Sequence, residues 1–187
     1  MPWYYREKEE FEWVPLEKIK PYIELAEDMD VKVLIALAWL TGARISELLE
    51  LTPMNFLIDP DRDTFSITIK AKKKGKTGFP TFSLTKDPFI QDLILPYINS
   101  FSSESKLFGR SKRRYQQILE QLNKTIHPND KREWITFHYL RHSRLTYLAR
   151  KLYATPEELK SWTGHKSSAF EEYFAPRKVE RFKGKIK

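Results

Sequence analysis

Between residues 53 and 87 the chain changes its hydrophobic period, and that change limits the folds open to it. On either side, apolar residues recur at helical spacing. Inside, "TFSITIK" at 64–70 and "FPTFSL" at 79–84 alternate polar and apolar side chains and are rich in β-branched and aromatic types. Successive side chains on an extended backbone point to opposite faces, so alternation marks a strand with one buried face. The Lys- and Gly-rich "AKKKGKTG" between them makes a basic hairpin tip, and "NFLID" at 55–59 reads as a third strand of the same sheet. The remainder reads as helix: 16–28, interrupted by Pro21; a second helix capped by Asp30, running to about Leu40 and ended by Gly42; a short helix at 44–51; then about 87–99, 111–125, 138–152, 156–163 and a last short one at 168–174. The expected fold is α+β and mainly α-helical, with a small antiparallel sheet inserted after the first helices.

The 187 residues suit one domain, and 41% hydrophobic with 14% aromatic content is enough for a core. The apolar run "VLIALAWL" at 33–40 falls short of the roughly 18–20 residues of a membrane span, so it reads as a buried helix. The opening "MPWYYREKEEFEW" is charged and aromatic rather than signal-like, and an intracellular (cytoplasmic) protein is expected. The absence of cysteine excludes disulfides and thiolate metal sites. A net charge of +8 calls for an acidic partner, nucleic acid before a membrane surface.

The segment "FHYLRHSRLTYLAR" at 137–150 concentrates the chemistry. His138 and His142 have the H-x-x-x-H spacing of a helical zinc site, but the glutamate of the protease motif is missing and Arg141 would set a fixed cation beside the metal. His138 and Arg141, one helical turn apart on the same face, suit an anion better, since guanidinium presents a planar fork that matches phosphate oxygens. Arg141 taken alone would suit an ion pair with Glu47 or Glu50. A second arginine, Arg44, opens the helix after Gly42, where the positive end of the helix dipole repels a cation unless an anion is shared there. "GKTG" at 75–78 is not a phosphate loop, because Lys70 stands where Walker A needs glycine and no helix follows.

Three boxes, in this order, closely resemble those of tyrosine recombinases of the phage-integrase type: "TGARISELLELT", "HYLRHSRLTYLA" and "TGHKSSAFEEYF". The resemblance runs from about residue 31 to 174 and includes a lysine-bearing hairpin between the first two boxes. It implies an integrase-type catalytic domain over 1–187, with 1–14 as an N-terminal extension and 175–187 as a basic tail. The helical DNA-binding domain that usually comes first is absent here, so the chain is expected to be a fragment. The resemblance also implies that Arg44 and Arg141 clamp the scissile phosphate, that His138 handles a proton or donates a hydrogen bond beside them, and that His165 donates to a phosphate oxygen. A hairpin lysine protonates the leaving 5′ oxygen. Counting back eight residues from Pro80 gives Lys72, and a different strand register gives Lys74 or Lys76.

The nucleophile remains open between two positions. The family's tyrosine stands nine residues after this histidine; here that slot holds Phe174, and Tyr173 is one residue short. Either Tyr173 attacks, forming a 3′-phosphotyrosine, or Phe174 marks a catalytically silent DNA-binding module of the same fold. A topoisomerase-like activity without site preference is a further alternative. For DNA-backbone contacts the candidates are Lys73, Lys74, Lys76, Arg110, Lys112, Arg113, Arg114, Arg144 and Lys166. The expected partner is duplex DNA, with self-association on it and the tail as a candidate contact. No metal and no cofactor are expected, since the bonds broken and made are equivalent and the covalent link conserves their energy.

Overall fold

The computed structural model describes residues 13–72 and 75–165, and the fold is an integrase-type α+β domain, mainly helical. Its centre is α2 (Met29–Thr41), buried on every side from Val33 to Thr41. A helix apolar all round has no solvent face to offer, so its neighbours must enclose it. They are α1 (Leu16–Leu25), α6 (Phe137–Arg150) and the segment around residues 90–99. Gly42 ends α2 in the left-handed region at φ 65°, and the short α3 (Ile45–Leu48) begins after Arg44. α5 (Lys112–Ile126) buries Tyr115, Leu119, Leu122 and Asn123, a stripe at helical spacing, and Ser111 caps it by accepting from the Arg114 N–H. α7 (Pro156–Thr163) is held at its start by a reciprocal Thr155–Glu158 capping box and ends at Gly164, φ 72°.

Strands β1 (Phe56–Asp59), β2 (Thr64–Ile67) and β5 (Thr81–Ser83) form one antiparallel sheet in the order β1-β2-β5. Phe65 lies opposite Ile58 and Phe82 in that ladder. A separate two-stranded ribbon pairs β3 (Ile69–Lys70) with β4 (Thr77–Gly78). The strand expected over 64–70 is thus broken at Thr68, whose N–H donates to Asn55 instead. Its partner strand leaves the sheet as well, for the Phe79 N–H donates to the Ser161 carbonyl of α7 at 2.9 Å. The alternation persists through both pieces, which is why the break leaves no mark in the pattern.

Other boundaries also moved. Pro21 does not interrupt α1. It sits on the exposed side, while Ile19, Tyr22 and Ile23 on the opposite side pack inward and hold the helix together. The N-cap position of α2 is Asp28, not Asp30. Asp30 lies in the first turn, where it receives the Arg110 guanidinium at 2.6 and 2.7 Å and the Tyr115 hydroxyl at 2.7 Å. The helix expected from 87 begins as a wide turn at Ile90–Ile94 and becomes α4 (Leu95–Asn99), after Phe89 takes a φ of 68°. Trp13 and Val14, assigned in the sequence to an N-terminal extension, belong to the core: the Val14 N–H donates to Ser143 Oγ at 2.8 Å and its carbonyl accepts from Trp39 Nε1 at 2.7 Å. The helix expected at 168–174 lies outside the described residues.

Candidate active site

Four polar side chains meet where the α2–α3 turn, the middle of α6 and the end of α7 come together. The turn supplies Arg44 and Glu47. Glu47 is at the third position of α3, so its carboxylate reaches back and accepts from the Arg44 backbone N–H at 2.9 Å. Its other oxygen accepts from His165 Nε2 at 3.0 Å and lies 3.4 Å from Arg44 Nη1. A carboxylate only accepts, so the Nε2 bond requires a proton on that nitrogen. Arg44 Nη1 lies 3.1 Å from Nδ1 and 2.7 Å from Nε2, and with Nε2 donating to the carboxylate, Nδ1 is the ring nitrogen left to accept from it. Glu47 is 1% exposed at the side chain, whereas Arg44 is 42% exposed and open to solvent.

Arg141 arrives from α6. It is 7% exposed and donates through Nη1 to the Gly42 carbonyl at 2.8 Å, on the same turn that carries Arg44. Burial pushes the Glu47 carboxyl up, but the His165 hydrogen bond, the Arg44 N–H and the charge of Arg141 hold it below the usual carboxylate range. The carboxylate considered as a partner for Arg141 is therefore central to the cluster. Sequence reasoning saw it as an ion-pair candidate and missed its role in orienting His165. Its position three residues after the helix-opening arginine, in the capping-box slot, was the available signal. Two guanidinium groups against one carboxylate leave the cluster net positive, with Arg44 at its open side. That arrangement can receive an anion, and preorganised donors of this kind stabilise charge that develops on it.

The remaining candidates are more dispersed. His138 is exposed on the first turn of α6 and His142 is half-buried. Lys72 reaches Glu50 Oε1 at 3.4 Å, and Lys106 shares that carboxylate at 3.0 Å. Lys76 is exposed at the base of the hairpin, and its carbonyl packs against Gly164. Lys112, Arg113 and Arg114 are exposed in the first turn of α5, which holds no acidic residue. Arg110 is engaged by Asp28 at 2.8 Å as well as by Asp30. Arg144, expected at a DNA surface, is 9% exposed. One turn along α6 from Arg141, it points into a cage formed by Trp13, Tyr147, Trp162 and Phe82, with its guanidinium carbon 4.7, 5.6, 5.4 and 5.9 Å from the four ring centres. Its Nε has no hydrogen-bond partner among the described residues, and burial pulls the guanidinium down to about 10, which leaves it charged at neutral pH. Lys73, Lys74, Lys166, Tyr173 and Phe174 lie outside the described residues. Among the described residues no three His, Asp or Glu side chains gather as metal ligands, and no helix is long and apolar enough to cross a membrane.

The model of the Phage integrase family matches residues 14–178, and the chain belongs to that family of tyrosine recombinases. Comparison with curated proteins gave no match. Among solved structures, the fold is similar to that of the XerH site-specific recombinase in a pre-cleavage complex with difH substrate, with a TM-score of 0.66, 20% identity, and coverage of 84% of this chain and 47% of that one. It is also similar to the XerA recombinase, with a TM-score of 0.63, 16% identity, and coverage of 94% and 65%. The Tn1549 transposon integrase in complex with transposon right-end DNA gives 0.59, 15%, 95% and 68%. The chain thus matches about half the length of the XerH recombinase.

Proposed function

We propose that this chain is the catalytic domain of a DNA strand transferase, spanning 1–187, which cleaves and rejoins duplex DNA at specific sites through a 3′-phosphotyrosine link. The observation that carries this reading is the junction of Arg44, Arg141 and His165 around Glu47, from three segments far apart in sequence. In the reaction, the Tyr173 oxygen attacks the scissile phosphorus, the new P–O bond forms, and the bond to the 5′ oxygen breaks. The phenolic proton leaves to His138 or water, and a hairpin lysine (Lys72, or Lys74 or Lys76) supplies the proton that the 5′ oxygen takes up. Arg44, Arg141 and His165 hold the phosphate oxygens as charge builds on them. Rejoining runs the steps in reverse, so the free energy of the broken bond is retained and neither metal nor ATP is required. Duplex DNA is the partner, several copies act together on it within the cell interior, and the exposed cations of the hairpin and of α5 bind its backbone in a salt-dependent way.

The placement of phenylalanine nine residues after His165 favours a second reading, a silent DNA-binding module of the same fold. One experiment separates them. Duplexes enriched from a randomised pool by binding are rebuilt with a nick beside each candidate phosphate, so that the cleaved end diffuses away. A covalent adduct mapped to Tyr173 is expected. Tight binding with no adduct at any nick position refutes the enzyme and leaves the module.

A further inference from the structure

We propose that Gly78 and Gly164 are positioning residues whose backbone-to-backbone contact locks the lysine hairpin and His165 into one unit. The contact leaves no room for a side chain on either side of it. A Cβ at Gly78 would lie 2.5 Å from the Thr163 carbonyl carbon and the Trp162 oxygen, and 2.8 Å from the Gly164 nitrogen. A Cβ at Gly164 would run into the Lys76 carbonyl oxygen, and the φ of +72° disfavours one in any case. The Phe79 N–H to Ser161 bond at 2.9 Å extends the seam, and Phe82 meets Trp162 edge-on at 5.2 Å. Trp162 is tied in turn to the end of α2 by its Nε1 bond to the Thr41 carbonyl at 2.7 Å.

A shift of the hairpin is therefore transmitted. It moves the end of α7, which His165 follows directly after Gly164. The His165 N–H donates to Thr163 Oγ1 at 3.2 Å, and its ring is bonded to Glu47 and Arg44. Rigid backbone packing passes displacement on, because close-packed interiors do not deform continuously. The pairing sets how far the hairpin's proton donor stands from the donors on the phosphate, and in that respect the inference rests on the proposed function.

Gly78→Ala tests it, with Gly109→Ala as control, since a Cβ at Gly109 meets nothing within 4 Å. Amide exchange and the imidazole resonances of His165 are read first, without DNA. Gly78→Ala is expected to speed exchange at the Phe79 amide at least about tenfold, by opening the seam locally, and to move the His165 resonances. Adduct formation is then compared on the selected duplex with the natural 5′ oxygen and with a bridging 5′ sulfur. A thiol has a pKa of about 8.5, so sulfur leaves without a donated proton. A misplaced donor should cost about 100-fold on oxygen and little on sulfur. Equal losses on both duplexes, or unchanged Phe79 exchange and His165 resonances, overturn the inference. A wild-type chain that forms no adduct on either duplex sinks the proposed function alone, and the exchange and resonance readouts still decide the coupling. Should Gly78→Ala not fold, the wild type decides: the Phe79 and Gly164 amides should exchange through one opening with the same urea dependence, and two distinct openings overturn the coupling.

Discussion

Replacing Glu47 by glutamine removes one charge and almost no volume from the centre of the cluster. The amide oxygen can still accept from the Arg44 N–H, and the amide NH2 can donate to His165 once the ring moves its proton from Nε2 to Nδ1 and Arg44 Nη1 swings toward solvent, but the attraction to Arg44 and Arg141 is gone. Hydrogen bonds to a charged group contribute roughly 1.5–3 kcal/mol and neutral ones about half of that. Glu47 makes two such bonds, at 2.9 and 3.0 Å. The loss at neutral pH is thus about 2 kcal/mol, or a Tm lower by about 4–8 °C for a domain of this size. The pH dependence carries a sign. A carboxyl held below its ordinary value of 4.5 stabilises the fold above that value, and the stabilisation is lost as pH falls through the lowered one. Wild type and Glu47→Gln should therefore differ in thermal melts at neutral pH and converge as pH drops below the ordinary carboxylate range. A glutamine variant as stable as wild type at neutral pH, or a gap that persists undiminished in acid, would falsify the account of Glu47 as a buried anion among cations.

Arg141→Ala should lower adduct formation by at least about 100-fold while leaving duplex affinity within a few-fold, because one preorganised donor acts on the transition state and many contacts share the binding; equal loss of both, in paired adduct and binding assays, contradicts a catalytic role. Arg144→Ala should lose roughly 2–4 kcal/mol in urea unfolding by leaving the aromatic cage empty, whereas Arg144→Met, which fills it, should stay within about 1.5 kcal/mol of wild type; equal losses would show that the charge, not the volume, holds the cage. Changing Lys112, Arg113 and Arg114 together to alanine should flatten the dependence of log affinity on log salt by about 2–3 if each neutralises a phosphate, and an unchanged slope removes all three from the interface.

Much of the molecule was legible along the chain because its signals are local. The all-apolar stretch from Val33 to Leu40 could only be a central helix, and a glycine directly after it could only be its left-handed end. The alternation at 64–70 and 79–84 placed the sheet. The boxes around Arg44, Arg141 and His165 named the family. Other features depended on neighbours distant in sequence. Periodicity cannot tell that the ladder breaks at Thr68, because the competing acceptor is the carbonyl of Asn55 and the second strand is drawn off by α7. Charge type alone placed Arg144 at a DNA surface, yet Trp13, Phe82 and Trp162 from three other segments join Tyr147 of the same helix to enclose it.

The amino-acid order by itself determined the helical framework, the inserted strands and the kinds of side chain available for an anion, since hydrophobic period, capping and turn chemistry act over a few residues. Only the tertiary structure decided that Glu47 stands between the arginines and His165, that Gly78 lies against Gly164, and that one arginine of α6 serves the cluster while the next serves the core. Those outcomes are set by which backbone segments pack within a few ångströms of one another, and close packing is a property of the whole chain rather than of any stretch of it.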